Sequence, residues 1–600
     1  MTTSLARRLA PVIAFVVLDV FMGGAQLSAR ASGEYRTVEA ESLRITIDSE
    51  WGSRTAPGYL PVRFDIANLG EARVIEIVAE GTRFFRAMRA GPGAIRFRQA
   101  IRLARGDRVH LTLPIPISAE SENLRFEIEE DGRTIERFNY IGFQSGTAAA
   151  DAAVLIVADP SSTFGAIART WPRSAGPAAS VRMMAPGGVR TTASLDFVLE
   201  PARLPTNWLG YTSLRAVVIG PAEWNQLNDA QKSALLTWTA CGGDLIVPDA
   251  DLTALFGPRI PPSSPDVAVR GYLFGRIHRP ASAEITSSGL ATVLSAAQKL
   301  QDANWALPPN RALDWGIMAP RGFRLPIPEV SGVPARAYLS ILIVFALIIG
   351  PVNYWFLWRR RQQVLLVLTA PLVSAIFIVL LAGYVVAGEG LAVSGRAVTF
   401  TMLDQARKEA VMRASASLYA AGMTPGGGLR FARDVAVFPI GTDGAGTRDT
   451  ITLDLTDNQR FSSGVVHARA PTNFEEIAWR PARERLTFAA AAGGSGVGVI
   501  NGLDVTITKL LYRSGGRIYS LSCAVPPGGR AVLKPGGIEP AALVPSGLPL
   551  SSRFEHLVAH QPEGSYIAVL ERSPFWDPGV ATVIERHSFH LLLGWPEGQP

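Results

Sequence analysis

Residues 337–358 read AYLSILIVFALIIGPVNYWFLW, residues 359–363 RRRQQ, and residues 364–387 VLLVLTAPLVSAIFIVLLAGYVVA. The first apolar run has 22 residues and the second 24, with no charge in either. At about 1.5 Å per residue the shorter run reaches about 33 Å, enough for the hydrocarbon core of a bilayer. An ordinary soluble domain does not surround two such runs joined by five polar residues. The pattern predicts a transmembrane hairpin: helix one over 337–358, a loop over 359–363, helix two over 364–387.

The same stretch predicts its orientation. Arg359, Arg360 and Arg361 sit in a connection short enough to be a tight turn, and by the positive-inside rule that turn faces the cytoplasm. Both long flanks then lie on the opposite side. Tyr354, Trp355 and Trp358 mark the inner interface, and Tyr338 and Tyr384 the outer one. Pro351 and Pro371 each remove a helix hydrogen bond at similar depth, so a pair of kinks is expected near the inner end. Asn353 is the strongly polar side chain there and is expected to bond a carbonyl freed near Pro351, or lipid headgroups. Pro351, Asn353 and Pro371 are therefore the candidate interface with a membrane partner.

The N-terminus agrees on topology. Arg7 and Arg8 precede the apolar run 9–18, and Ala29-Arg30-Ala31 offers a small-residue cleavage site, so 1–31 reads as a signal peptide or, given Asp19, an uncleaved anchor. Either version exports the chain from residue 35 onward. The expected location is the inner (cytoplasmic) membrane with both flanks periplasmic, and the lipid bilayer is the first partner.

Composition limits the remaining classes. The 600 residues leave room for several domains beside the hairpin, and the net charge of +7 is dispersed. The basic residues form no Lys/Arg block outside Arg359–Arg361, so nucleic-acid binding is not indicated. Two cysteines, Cys241 and Cys523, cannot make a disulfide framework. No CxxC, HExxH or dense Cys/His cluster is present, and no cofactor is expected. His556 and His560 fall four apart, but HLVAH lacks the glutamate of the zincin pattern.

Residues 35–145 alternate with period two at Leu43-Ile45-Ile47, Val62-Phe64-Ile66, Leu111-Leu113-Ile115-Ile117 and Leu124-Phe126-Ile128. Asp131-Gly132 is a hairpin turn signal. An immunoglobulin-like β-sandwich is the expected fold. Residues 150–305 change character. Ala152–Asp159 and Leu214–Gly220 are short continuous apolar runs, an amphipathic helix over 229–240 is capped by Asn228 or Asp229 and stopped by Gly242-Gly243, and Asp244–Val247 follows as a strand. That alternation predicts a parallel α/β layer.

The stretch LRAVVIGPAEWNQLNDAQKSALLTWTACGGDLIVPDAD (214–251) resembles a class I glutamine amidotransferase-like domain of flavodoxin-like fold, in the exported version found in multi-domain bacterial membrane proteins. The hairpin run IIGPVNYWFLWRRR resembles the two-helix anchor of the same proteins. The resemblance implies membrane location, this domain order, and an association with export or envelope-assembly systems. It does not carry catalysis over. Active members place a nucleophilic cysteine at a strand-to-helix elbow, whereas Pro248-Asp249-Ala250 stands there and Cys241 precedes the strand. His278 is the nearby histidine, with no evident partner. Asp249 and Asp251 read as a turn and a helix cap.

A helix near 287–300 and a Pro-rich connector over 306–336 lead into the membrane. Residues 395–600 read as a β-rich exported region of one or two further sandwich-like modules. Within it Phe575 and Trp576 either dock a partner or pack into a core. The expected function is a non-enzymatic scaffold or accessory subunit with membrane or periplasmic protein partners. A hydrolase or amidotransferase-like enzyme and an oligomeric transporter are the alternatives.

Overall fold

The computed structural model describes residues 35–49, 58–82, 95–117, 123–141, 154–159, 161–162, 195–249, 251–256, 269–281, 325–328, 335–389, 392–420, 428–440, 451–463, 465–466, 470–491, 496–545, 548 and 551–597. The export signal expected over 1–31, the helix near 287–300 and most of the 306–336 connector lie outside these residues.

Eight strands between Tyr35 and Ile141 divide between two sheets. Tyr35–Ala40, Leu43–Ser49, Gly58–Asn68 and Arg108–Ile117 form one, in that order and antiparallel throughout. Arg73–Thr82, Ile95–Leu103, Asn123–Glu130 and Arg133–Ile141 belong to the other. The apolar alternate positions face inward, and the sheets meet through Phe64 and Phe126, whose rings lie edge-on at 5.7 Å. Asp131 and Gly132 both take left-handed backbone (φ 49° and 76°), as a two-residue turn matched to strand twist requires.

The second sheet does not stop at residue 141. Beyond Ile95–Leu103 it continues with Ile451–Asp454, Gln459–Ser463 and Leu429–Phe431, making seven strands among the described residues. The join is parallel, with Ile451 opposite Ile95 and Asp454 opposite Arg98. Leu455 N–H donates to the Arg98 carbonyl (2.9 Å) and Ala100 N–H to Thr456 Oγ1 (3.0 Å). Segments on either side of the apolar hairpin thus share one sheet.

The middle of the chain forms a sheet in the order Leu195–Leu199, Val154–Val157, Ala216–Ile219, Asp244–Ile246, Gly275–His278 and Val269–Tyr272. All its pairings are parallel except the last. Val154–Val157 and Ala216–Ile219 are buried at every position, as both-face coverage demands. The helix Asp229–Ala240 starts on a capping box: Asn228 Oδ1 accepts from Gln231 N–H (2.9 Å), and Gln231 Oε1 accepts from Asn228 N–H (3.1 Å). Its far end lies hard against the strand Gly275–His278. A Cβ on Gly275 would sit 1.9 Å from the Thr239 carbonyl oxygen, so only glycine fits.

The apolar hairpin is helical over Ala335–Leu347, makes a π-helical turn at Ile348–Val352, and resumes over Asn353–Arg359. After a turn and a short 3-10 segment the second helix runs Leu366–Glu389. Both helices are long and apolar enough to cross a membrane, and neither span is covered by the rest of the protein. Val364 is 88% and Val367 81% exposed, values no soluble core helix would show.

The strand Val393–Asp404 begins within four residues of that second helix and pairs along its whole length with Glu409–Ala420. Together they centre a sheet of twelve strands among the described residues, bounded by Ala436–Ile440 and Arg485–Ala490. The region after 395 therefore does not sort into separate sandwich modules: three of its strands complete the earlier sheet and twelve share one sheet. The reason is burial on both faces. Val393–Asp404 is buried at all but two positions. One face packs on the α/β layer, with Phe400 and Phe274 edge-on at 5.2 Å, and on Phe554. The other face is covered by the segment bearing Phe575 and Trp576, which are buried, so those aromatics pack into the core and do not form an exposed docking surface.

Candidate functional site

The half of the hairpin nearest its turn brings two of its three predicted site residues into defined roles. Pro351 lies inside the π-turn, which takes up its missing N–H, and Asn353 N–H reaches back to the Ile348 carbonyl. Pro371 sits six residues into the α-helix Leu366–Glu389, which makes no π-turn of the kind found at Pro351. Asn353 reaches across to the second helix. Its Nδ2 donates to Thr369 Oγ1 on the second helix (3.0 Å), and only 8% of the residue is exposed. Phe345 and Phe377, with ring centroids 5.0 Å apart, hold the helices together farther from the turn. Thr369 was not singled out in the sequence; its spacing from Asn353 across a tight turn was the available signal.

The turn itself is a Schellman-type stop. Gln362 N–H donates to the Leu357 carbonyl and Arg361 N–H to Trp358 (both 3.0 Å), with Arg361 in the left-handed position (φ 52°) usually taken by glycine. Arg359 stacks over Trp355 at 5.4 Å and Arg360 over Phe356 at 4.6 Å. The three guanidinium groups are thereby gathered at one end of the hairpin.

In the α/β layer, Cys241 caps the helix and is fully buried; burial pushes its thiol well up, against the opposing pull of Arg413. It is sealed as a neutral thiol. His278, read from sequence as partnerless, has a partner. Its Nε2 lies 3.1 Å from Asp244 Oδ1, and Arg276 grips the same carboxylate through Nε (2.9 Å) and Nη2 (3.0 Å). The parallel register creates this set by placing Asp244 opposite Arg276 and Ile246 opposite His278. Burial alone would raise the Asp244 carboxyl, but the His278 and Arg276 bonds outweigh it and hold it below the usual range. All three are sealed from solvent, so the cluster ties strands together.

Asp249 adopts a left-handed turn (φ 49°), and the Asp251 carbonyl accepts from Leu255 N–H at the start of helix Leu252–Phe256. A second set joins the buried Thr399 Oγ1 to His590 Nδ1, and His590 Nε2 to Oε2 of the exposed Glu585, each at 2.9 Å. Thr399 is 1% exposed, which denies its hydroxyl a substrate. Among the described residues no group of three or more His, Cys, Asp or Glu is placed to hold a metal ion. The side chain of His556 lies outside the described residues.

An open cleft of about 250 Å³ lies where helix Asp229–Ala240 meets the turn joining Val393–Asp404 to Glu409–Ala420. Leu236 and Thr237 line one wall and Lys408, Glu409, Trp479 and Pro481 the other. Tyr272 donates its hydroxyl to Glu409 Oε2 (3.1 Å), and Arg407 lies over the Tyr272 ring at 5.1 Å while pairing with Asp404 (3.0 Å). Register places Trp479, Glu475 and Asn473 on one sheet face with Glu409, Arg413 and Ser417. From the cleft inward this face carries buried polar atoms at Glu475 Oε1, Asn473 Oδ1 and Ser417 Oγ without hydrogen-bond partners among the described residues.

No family model matches this chain, and no curated protein matches it. Among solved structures it is similar to the yeast delta-COP-I mu-homology domain complexed with a Dsl1 WxWxV peptide, at 6% identity and a TM-score of 0.17, over 34% of this chain and 96% of that one. The same yeast domain alone gives 7% identity and a TM-score of 0.17, over 34% and 95%. Likenesses this distant bear on neither fold nor function.

Proposed function

We propose that this chain is an integral protein of the bacterial cell envelope, anchored in the cytoplasmic membrane by the 337–387 hairpin, with both flanks outside the cytoplasm as a non-enzymatic scaffold or accessory subunit. One observation carries the reading: Ile95–Leu103 and Ile451–Asp454, on either side of the hairpin, are hydrogen-bonded neighbours in one sheet. Adjacent strands cannot be separated by a bilayer, so the chain between them crosses an even number of times. The hairpin supplies two crossings, and Arg359–Arg361 at its turn set the turn inside.

The scaffold reading rests on where polar chemistry sits. Cys241, the Asp244–His278 set and the Thr399–His590 set are all buried. A cytoplasmic portion as small as the turn has no room for an energy-coupling domain, so work done through this protein passes by way of helices packed against the hairpin. A photo-crosslinking residue at Val367, exposed on the second helix, tests this in intact cells. Discrete protein adducts of the full-length chain are expected. Adducts with lipid alone, at Val367 and again at Trp355, would refute the partner reading.

A further inference from the structure

We propose that the strand Arg485–Ala490 takes up an extended acidic segment of a partner protein as an added neighbouring strand. Arg485–Ala490 is an edge of the twelve-stranded sheet, and among the described residues its strand partner is Val497–Gly502. Ala491 N–H donates to the Gly496 carbonyl (3.2 Å), which fixes the alternation of the ladder. Residues 485, 487 and 489 bond to Val497–Gly502, so Leu486, Phe488 and Ala490 turn their N–H and C=O groups outward. The chain closes this edge itself at Leu486. Oriented to suit both groups, the Gln405 side-chain amide donates to the Leu486 carbonyl (3.1 Å) and accepts from the Leu486 N–H (2.9 Å). The outward groups of Phe488 and Ala490 have no hydrogen-bond partner among the described residues.

The opposite edge of the same sheet is treated differently. Ala436–Ile440 carries Pro439, and the Tyr59 hydroxyl occupies the N–H and the carbonyl of Val437. Past Leu486, the strand Arg485–Ala490 has no proline, charge or bulge of the kind that blocks edge pairing. Its conformation is also held from within. The Phe488 ring stacks on Tyr512 at 4.1 Å, so the edge is kept extended before anything binds, which lowers the ordering cost of an added strand.

Charge selects the occupant. Arg483 and Arg485 stand at the start of the edge strand, and Arg530 and Lys534 share the face of Arg485 two strands away, about 10 Å off. All four are exposed, and none has an ion-pair partner among the described residues. Glu484, the acid between the first two, is already paired with Arg480 and accepts from the Arg483 N–H (2.9 Å). A second copy brought edge to edge would set these cations against themselves, whereas carboxylates on an added strand would meet them. On that strand alternate side chains share the face of Arg485, Thr487 and Ala489, and the others lie beside Leu486 and Phe488. Acidic residues suit the first face and apolar ones the second, with main-chain hydrogen bonds to Phe488 and Ala490 joining the two. Binding is read on the isolated protein, so it stands or falls apart from the membrane topology.

Fluorescence anisotropy of the full-length protein in neutral detergent, with a short labelled peptide alternating valine and glutamate, tests it. The peptide is expected to bind saturably, once per chain, and more weakly as salt is raised. Its valine–lysine counterpart should bind at least tenfold more weakly. Ala490→Pro, which removes an outward N–H at an exposed edge position, should lower affinity at least tenfold. Arg483→Gln combined with Arg485→Gln should do the same with the melting temperature unchanged, which keeps the test valid if the proline variant unfolds. Absence of saturable binding, equal binding of the lysine peptide, or undiminished affinity in either folded variant would overturn the proposal. So would a dimer of the free protein that Ala490→Pro dissolves, which assigns the edge to a second copy.

Discussion

The Tyr59 hydroxyl both donates to the Val437 carbonyl (3.0 Å) and accepts from the Val437 N–H (3.1 Å), across 378 residues of chain that include the apolar hairpin. Val437 lies in Ala436–Ile440, an edge strand of the twelve-stranded sheet, and no further strand among the described residues satisfies its outward backbone groups. One phenol closes that edge at Val437, with Gln459 Oε1 a further 3.1 Å acceptor. Tyr59→Phe leaves a buried N–H and carbonyl unpaired, and is expected to cost about 1–3 kcal/mol in thermal or denaturant unfolding of the detergent-solubilised protein. A wild-type unfolding curve would contradict the role given to this contact.

Asn353 and Thr369 are the polar link between the hairpin helices. Interhelical bonds of this kind contribute about 0.6–1.7 kcal/mol, because side chains released into the membrane find other partners. A double-mutant cycle with Asn353→Leu and Thr369→Val, read by unfolding in bicelles, should give a coupling energy in that range. Strictly additive effects would show that the residues act separately.

Gly275→Ala should be among the most damaging small substitutions in the chain. The added methyl would meet the backbone oxygens of Thr239 at 1.9 Å and Gly243 at 2.5 Å, so the helix end and the strand must part. A loss of about 3 kcal/mol or more is expected. Gly271→Ala, in the neighbouring strand Val269–Tyr272 opposite Arg276 and with nothing within 4 Å of its Cβ, is the matched control.

Glu475 and Glu476 make stability fall as pH rises. Burial lifts both carboxyls well above the ordinary value of 4.5; Arg413 partly opposes this at Glu475, and Asp577 adds to it at Glu476. The stability contributed by the neutral acids is full below pH 4.5, and it declines as pH climbs from there toward the raised folded-state values. Glu475→Gln keeps the shape without the ionisation, and should raise the melting temperature at pH 8 while changing it little at pH 4.5. An equal effect at both pH values would rule out this origin.

Local patterns made much of the fold legible. Period-two alternation located the early strands, Asp131-Gly132 the hairpin, and Asn228 with Gln231 the start of the helix, because each works through residues a few positions apart. What stayed hidden depends on register between distant segments. Nothing in ITLD (451–454) signals that it pairs with Ile95, since any buried edge would accept it. His278 looked partnerless because Asp244 reaches it only through parallel strand pairing. Val393–Asp404 carries Ser394 on one face and Thr399 and Thr401 on the other, yet all three are buried, which only the layers packed on both sides explain. In the hairpin the apolar lengths and the arginine turn were plain, whereas the Asn353–Thr369 bond needed the helices aligned.

The central claim, one body built from both flanks and held on one side of the membrane by a hairpin whose turn faces the other, has a built-in probe. Cys523 is exposed and unpaired, and Cys241 is unpaired but buried. Spheroplasts are treated with a membrane-impermeant maleimide, using the natural protein and a Cys523→Ser, Gln362→Cys variant that keeps all three turn arginines. Cys523 should label at once with the membrane sealed, Cys241 only after denaturation, and Gln362→Cys only after permeabilisation. Labelling of the turn cysteine from outside, or protection of Cys523 in sealed spheroplasts, would contradict the account.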